Sequence, residues 1–214
     1  MLSWINEKCK KYMLSILIII ILLFSVIIHE VSHGFMADHL GDPTARLQGR
    51  LTLNPLKHID PIGSILVPII TSISGFAFGW AKPVVYNPYN LKNRRVGEVL
   101  IAAAGPLSNI TLAIVFGLII RFVYSGAGGV TPFIEFASYI VIINIVLAVF
   151  NLVPLPPLDG SKLLLAFLPQ QYGRTRMTLE RYGPIFVLIL IIFAWQFISP
   201  IVPLIFTLIT GVGM

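Results

Sequence analysis

Charge is scarce in this chain and cysteine nearly absent. Only 11% of its 214 residues are charged and 57% are hydrophobic, with a mean hydropathy of +0.90. Soluble domains carry about 25% charged residues, so a soluble globule is excluded and a membrane protein indicated. The lone Cys9 rules out both a disulfide framework and a cysteine cluster for metal. A formal net charge of +6 raises the question of nucleic acid. The basic residues, however, sit in short loops beside apolar runs without a recognition motif, so membrane topology accounts for them and no nucleic-acid partner is expected.

What is present is long apolar sequence. Charge-free runs extend from Tyr12 to Ile28, Pro61 to Ala81, Val99 to Ile120, Phe136 to Leu158 and Tyr182 to Met214. A bilayer crossing needs about 20 such residues, so three to five of these runs can span or enter the membrane. The first follows Lys8, Lys10 and Lys11 in the manner of a signal peptide, but it ends in HEVSH without a small-x-small cleavage site and is read as a retained helix. No soluble portion is left over. Residues 1–214 are therefore expected to form one integral membrane domain, all-alpha and polytopic, in contact with the lipid bilayer.

Within that frame the expected core helices cover about 13–40, 98–120 and 133–155, with a C-terminal helical region at 184–211. Residues 62–79 form an apolar insertion whose Gly63, Pro68 and Gly75 and serines at 64, 72 and 74 suit a broken or re-entrant element as well as a plain span. From Thr44 to Asn54, leucines at 47, 51 and 53 alternate with polar neighbours, which predicts a short strand or hairpin.

Ionisable groups in apolar sequence need a partner or a function. His29, Glu30 and His33 form an HExxH pattern near the end of the first run. In a helix the two histidines stand one turn apart on one face and can share a divalent ion, with Glu30 beside them to handle protons. Catalytic zinc takes three protein ligands and keeps a position for water. His39 has the ten-residue spacing of the extended metzincin motif, but Met36 stands where that motif requires glycine. Among the acidic residues, Asp159 ends a long apolar run inside the Pro- and Gly-constrained turn PLPPLDG, from which a carboxylate can be aimed at a buried ion.

That choice has a topological cost. If 62–79 crosses the membrane once, Asp159 ends up on the side opposite His33; if it dips in and returns, the first and third core helices run parallel and their C-terminal ends meet. The positive-inside distribution is the same for both paths, so coordination alone selects the second. It predicts an active site towards the cytoplasm and an outside N terminus.

Taken together, the HExxH at His29, Glu30 and His33, the GPLSN from Gly105 and Pro106 to Asn109, and the NLVPLPPLDG from Asn151 to Asp159 and Gly160 resemble the site-2 protease family of intramembrane zinc metalloproteases. GDPTARLQGRLTLNPLKHIDP and FGWAKPV resemble its compact prokaryotic branch, which has no inserted PDZ domain. The resemblance implies one Zn²⁺ held by His29, His33 and Asp159, with Glu30 as general base. It places Asn151, and behind it Asn109, as catalytic hydrogen-bond donors to substrate or oxyanion. It further implies a prokaryotic cell-membrane location and a substrate that is a single-span membrane protein or remnant signal peptide, whose unwound segment could add to the strand near Gln48 to Asn54. His58 and Asp60 read as loop or gating residues. Oligomeric state is unread. The rival readings are a metal-ion or solute transporter built on the same His/Asp cluster, or a catalytically inactive membrane scaffold.

Overall fold

The computed structural model describes residues 2–60, 66, 82–127, 131–167, 181–183, 196 and 198–213. Three helices are long and apolar enough to cross a membrane, within Tyr12–His39, Arg94–Tyr124 and Pro132–Asn151. They belong to α1 (Leu2–His39), α3 (Arg94–Ala127) and α4 (Pro132–Asn151). A single turn, α2 (Thr44–Leu47), follows α1; α5 (Asp159–Phe167) follows α4; and a shorter apolar helix, α6, covers Ile198–Thr210.

Local chemistry sets several of these boundaries. Thr131 caps α4, its hydroxyl accepting from the Ile134 N–H at 3.2 Å, with Pro132 in the first turn and Glu135 near the positive end of the helix dipole. The helix stops at Asn151, ahead of the prolines at 154, 156 and 157 that cannot donate to a continuing ladder.

The central helix, α3, packs on α1, α4 and α5. Side-chain pairs fix the directions. His29 meets Asn109 while His33, one turn later, meets Ile101, so α1 and α3 run antiparallel. Asn144 sits level with Ser25, and the chain beyond Asn151 brings Asp159 to His29. Thus α4 runs parallel to α1, as coordination requires. At the other end of the bundle Ala113, Ile120, Ala137, Val141, Val202 and Phe206 form the main apolar core of α3, α4 and α6. A Cβ on Gly117 would collide with Ile209, so glycine lets α6 lie close on α3.

The expected strand or hairpin at 44–54 is not there; the described residues are all-alpha, with turns and extended segments. The Asp42 carboxylate accepts from the Thr44 N–H and hydroxyl, and Leu47 and Gln48 N–H groups then close on Pro43 and Thr44 carbonyls, making a helical turn instead. Leucine alternation misled because it serves no continuous buried face: Leu47 is 80% and Leu53 53% exposed, and only Leu51 is half-buried, against Gly34. The docking strand at Gln48 to Asn54 falls with it. The re-entrant or broken insertion expected at 62–79, residue 66 apart, and the start of the 184–211 region lie outside the described residues.

Candidate metal centre

The α-helical repeat puts Ser25, His29 and His33 of α1 on one face, all buried, towards α3. The two imidazoles stand nearly perpendicular, centroids 4.7 Å apart, and bring their Nε2 atoms to 3.1 Å. Asp159, the first residue of α5, points Oδ2 at both: 3.0 Å from His29 Nε2 and 3.2 Å from His33 Nε2. Of the described residues, these three form the one group of ligand atoms close enough to share a metal ion.

Which atoms carry hydrogen decides what the cluster can hold. His33 Nδ1 lies 2.6 Å from the Ile101 carbonyl, which only accepts, so that nitrogen is the donor. His29 Nδ1 donates in the same way to Asn109 Oδ1 at 2.6 Å. In neutral rings both Nε2 atoms are then lone pairs, facing a carboxylate with no proton among them. Tetrahedral donors around a zinc-sized ion stand about 3.3 Å apart, close to the spacings seen here. Two imidazoles and a carboxylate therefore fit a divalent cation.

The neighbouring turn of α3 is shaped to admit them. A Cβ on Gly105 would overlap the Nε2 edge of His33 and Cε1 of His29, so no larger residue fits. Pro106 has no N–H for the Ala102 carbonyl and loosens that turn, beside which the Ile101 carbonyl turns to His33. Gly160 is similarly confined against the Leu152 and Val153 carbonyls, which seats Asp159 against the end of α4.

Glu30 is half-buried, and its Oε2 accepts from the Val84 N–H at 2.9 Å. Val84 belongs to a segment without regular secondary structure, 82–87, that meets α1; its side chain packs where Gly34 leaves space, since a Cβ there would stand 2.8 Å from Val84 Cγ1. Asn109 is fully buried, and its Nδ2 donates to Asn144 Oδ1 at 2.7 Å. Asn151 lies half-buried at the end of α4, its Nδ2 donating to the Leu147 carbonyl at 3.0 Å. His39 is exposed at the end of α1, and His58 is buried elsewhere with Nε2 donating to the Thr52 carbonyl at 2.8 Å; neither joins the cluster. The contributions of Ser25, Gly34, Val84 and Asn144 escaped the sequence reading. For Ser25 a signal existed: it stands one helical turn before His29, in step with His33.

Such an arrangement defines an integral membrane protein with a buried cation-binding triad at one end of a helical bundle. Comparison with known proteins narrows this. The profile of Peptidase family M50 matches residues 123–195. The Bacillus subtilis (strain 168) protein named "Putative zinc metalloprotease YwhC" is 40% identical over 194 residues, covering 87% of this chain and 85% of that protein. "Putative zinc metalloprotease Rip2" of Mycolicibacterium smegmatis is 30% identical over 83% of this chain and 67% of its own length. "Zinc metalloprotease MJ0392" of Methanocaldococcus jannaschii is 28% identical over 75% of this chain and 37% of its own. No solved structure matches the chain. The chain belongs to peptidase family M50. Family membership and the triad support a metal-dependent enzymatic activity, and the bacterial and archaeal relatives a prokaryotic kind of membrane protein.

Proposed function

We infer that this protein is a zinc endopeptidase of the compact site-2 type, hydrolysing a peptide bond within or near the transmembrane segment of a membrane protein from the cytoplasmic side. The observation that carries this reading is the convergence of His29 Nε2, His33 Nε2 and Asp159 Oδ2, three atoms that offer lone pairs when the rings are neutral, with a carboxylate, Glu30, next to the two histidines in the same helix. His29, His33 and Asp159 would hold the zinc, which would supply Lewis acidity to a water and to the scissile carbonyl.

The chain's own groups do the rest. Glu30 takes the proton of the attacking water and returns it to the leaving amine. Its Oε2 accepts from the Val84 N–H, and that tie holds the carboxylate in one orientation. Asn151 has a second amide hydrogen beyond the one given to Leu147, available to a substrate carbonyl as it gains charge. A single-span protein or remnant signal peptide suits the location, provided its helix unwinds to present a carbonyl.

The test is Glu30→Gln in lipid, against a panel of single-span substrates. Cleavage should fall by about 10²- to 10⁴-fold with bound zinc unchanged. Cleavage at the parent rate would remove the reading, and transport that survives the substitution would favour a carrier instead.

A further inference from the structure

Beyond the triad, a line of buried amides joins all three membrane-length helices. Asn144 Nδ2 donates to the Ile140 carbonyl at 2.8 Å and to Ser25 Oγ at 3.0 Å. Asn109 Nδ2 donates to Asn144 Oδ1 at 2.7 Å and towards the Ser25 carbonyl at 3.4 Å, and Asn109 Oδ1 receives His29 Nδ1–H at 2.6 Å. Ser25, Asn109 and Asn144 are at most 3% exposed.

We propose that Asn144 and Ser25 are positioning residues for the metal centre, acting through Asn109 to fix the tautomer of His29. The direction of the line is set by its ends. The Ile140 and Ser25 carbonyls have no hydrogen, so each can face only an amide nitrogen. Asn144 must therefore turn its oxygen to Asn109, and Asn109 its oxygen to His29. A flipped Asn109 would set oxygen against Asn144 Oδ1 and the Ser25 carbonyl, leaving acceptors unpaired in a low-dielectric interior. Of the two neutral ring forms, the one compatible with the unflipped amide carries hydrogen on Nδ1 and a lone pair on Nε2.

Without that constraint His29 could place its hydrogen on Nε2 and donate to Asp159, closing the site to a cation. Hydrogen-bond partners of metal-ligating imidazoles commonly set tautomer and affinity in this way, and their loss costs about 10- to 100-fold in metal binding. Here the partner is itself held by Ser25 of α1 and Asn144 of α4, neither of which belongs to the triad.

This inference rests on His29 serving as a metal ligand, and its test separates the two. In ¹⁵N-histidine-labelled, metal-free protein, ring nitrogen shifts report which nitrogen of the neutral ring bears hydrogen, with His29 identified by its loss in His29→Gln. The parent should show Nδ1–H. Asn144→Val should shift His29 towards Nε2–H and weaken zinc binding, read by competition with a chromophoric chelator, by about 10- to 100-fold. Ser25→Ala, which leaves the Ile140 anchor, should have a smaller effect in the same direction. Should Asn144→Val not fold, Asn144→Ser serves, because a hydroxyl that can donate or accept leaves only the long 3.4 Å contact to the Ser25 carbonyl to direct the Asn109 amide. A folded variant that keeps Nδ1–H and the parent zinc affinity overturns the proposal. Parent-like zinc binding by Asp159→Ala would instead overturn the metal centre itself.

Discussion

Two buried carboxylates lie at the same end of the bundle and face opposite chemistry. Asp42, fully buried after α1, accepts from the Thr44 N–H, the Thr44 hydroxyl, the Asn87 N–H at 2.6 Å and Asn90 Nδ2 at 2.6 Å. Burial works against its charge, but these donors outweigh that and hold the carboxyl below its ordinary range. Asp159 is nearly as buried and faces two imidazole nitrogens whose hydrogens are committed elsewhere. One carboxylate is satisfied by protein and the other calls for a cation. Burial and acidity alone do not mark a metal ligand; the count of hydrogens aimed at it does.

The contrast predicts opposite phenotypes. Asp159→Ala should weaken metal binding on the order of a hundredfold or more, measured as bound zinc after dialysis, whereas Asp42→Ala should leave stoichiometry intact; metal lost in both would erase the distinction. Gly105→Ala, which alters no donor, should still cost about tenfold or more in affinity, because the added methyl displaces both imidazoles. Asp42→Ala should lower stability by about 1 to 3 kcal/mol, since its donors lose a shared acceptor, and thermal unfolding in detergent checks this.

The smallest expected effect is one of pH. A carboxyl whose pKa is lowered by folding adds stability that is complete above its ordinary value of 3.8 and drains away as pH falls through that value towards the lower folded one. The stability gap between wild type and Asp42→Asn should narrow between about pH 5 and about pH 3. A gap that widens over that range would put the favourable contacts on the protonated form.

The convergence of His29, His33 and Asp159 was legible because each part leaves a local trace: a four-residue step in a helix, an acid in a proline-stiffened turn, and apolar sequence that tolerates neither idly. The parallel course of α1 and α4 followed from requiring those parts to meet. The turn at 44–47 was not legible, because alternation specifies a strand only when one face is buried, and the decisive bond comes from Asp42 two residues upstream. Bonds such as Asn144 to Ser25 and Val84 to Glu30 join residues 119 and 54 positions apart, and residue type alone does not name such partners. Gly34 likewise stands out only once its neighbours are in place, and Gly105, marked by its motif, shows its reason only against the two imidazoles.

The depth of the triad along α1 has a consequence for what a cut would leave behind. His33 lies six residues and His29 ten residues before the last residue of the helix, roughly 9 and 15 Å at a rise of 1.5 Å per residue. Hydrolysis at that level would divide a spanning segment unevenly. The larger piece would keep most of a crossing and remain in lipid, while the smaller would carry off an apolar stub of two or three turns, short enough for water to draw it out. On the proposed activity, release of a product would then follow from where the triad sits along α1.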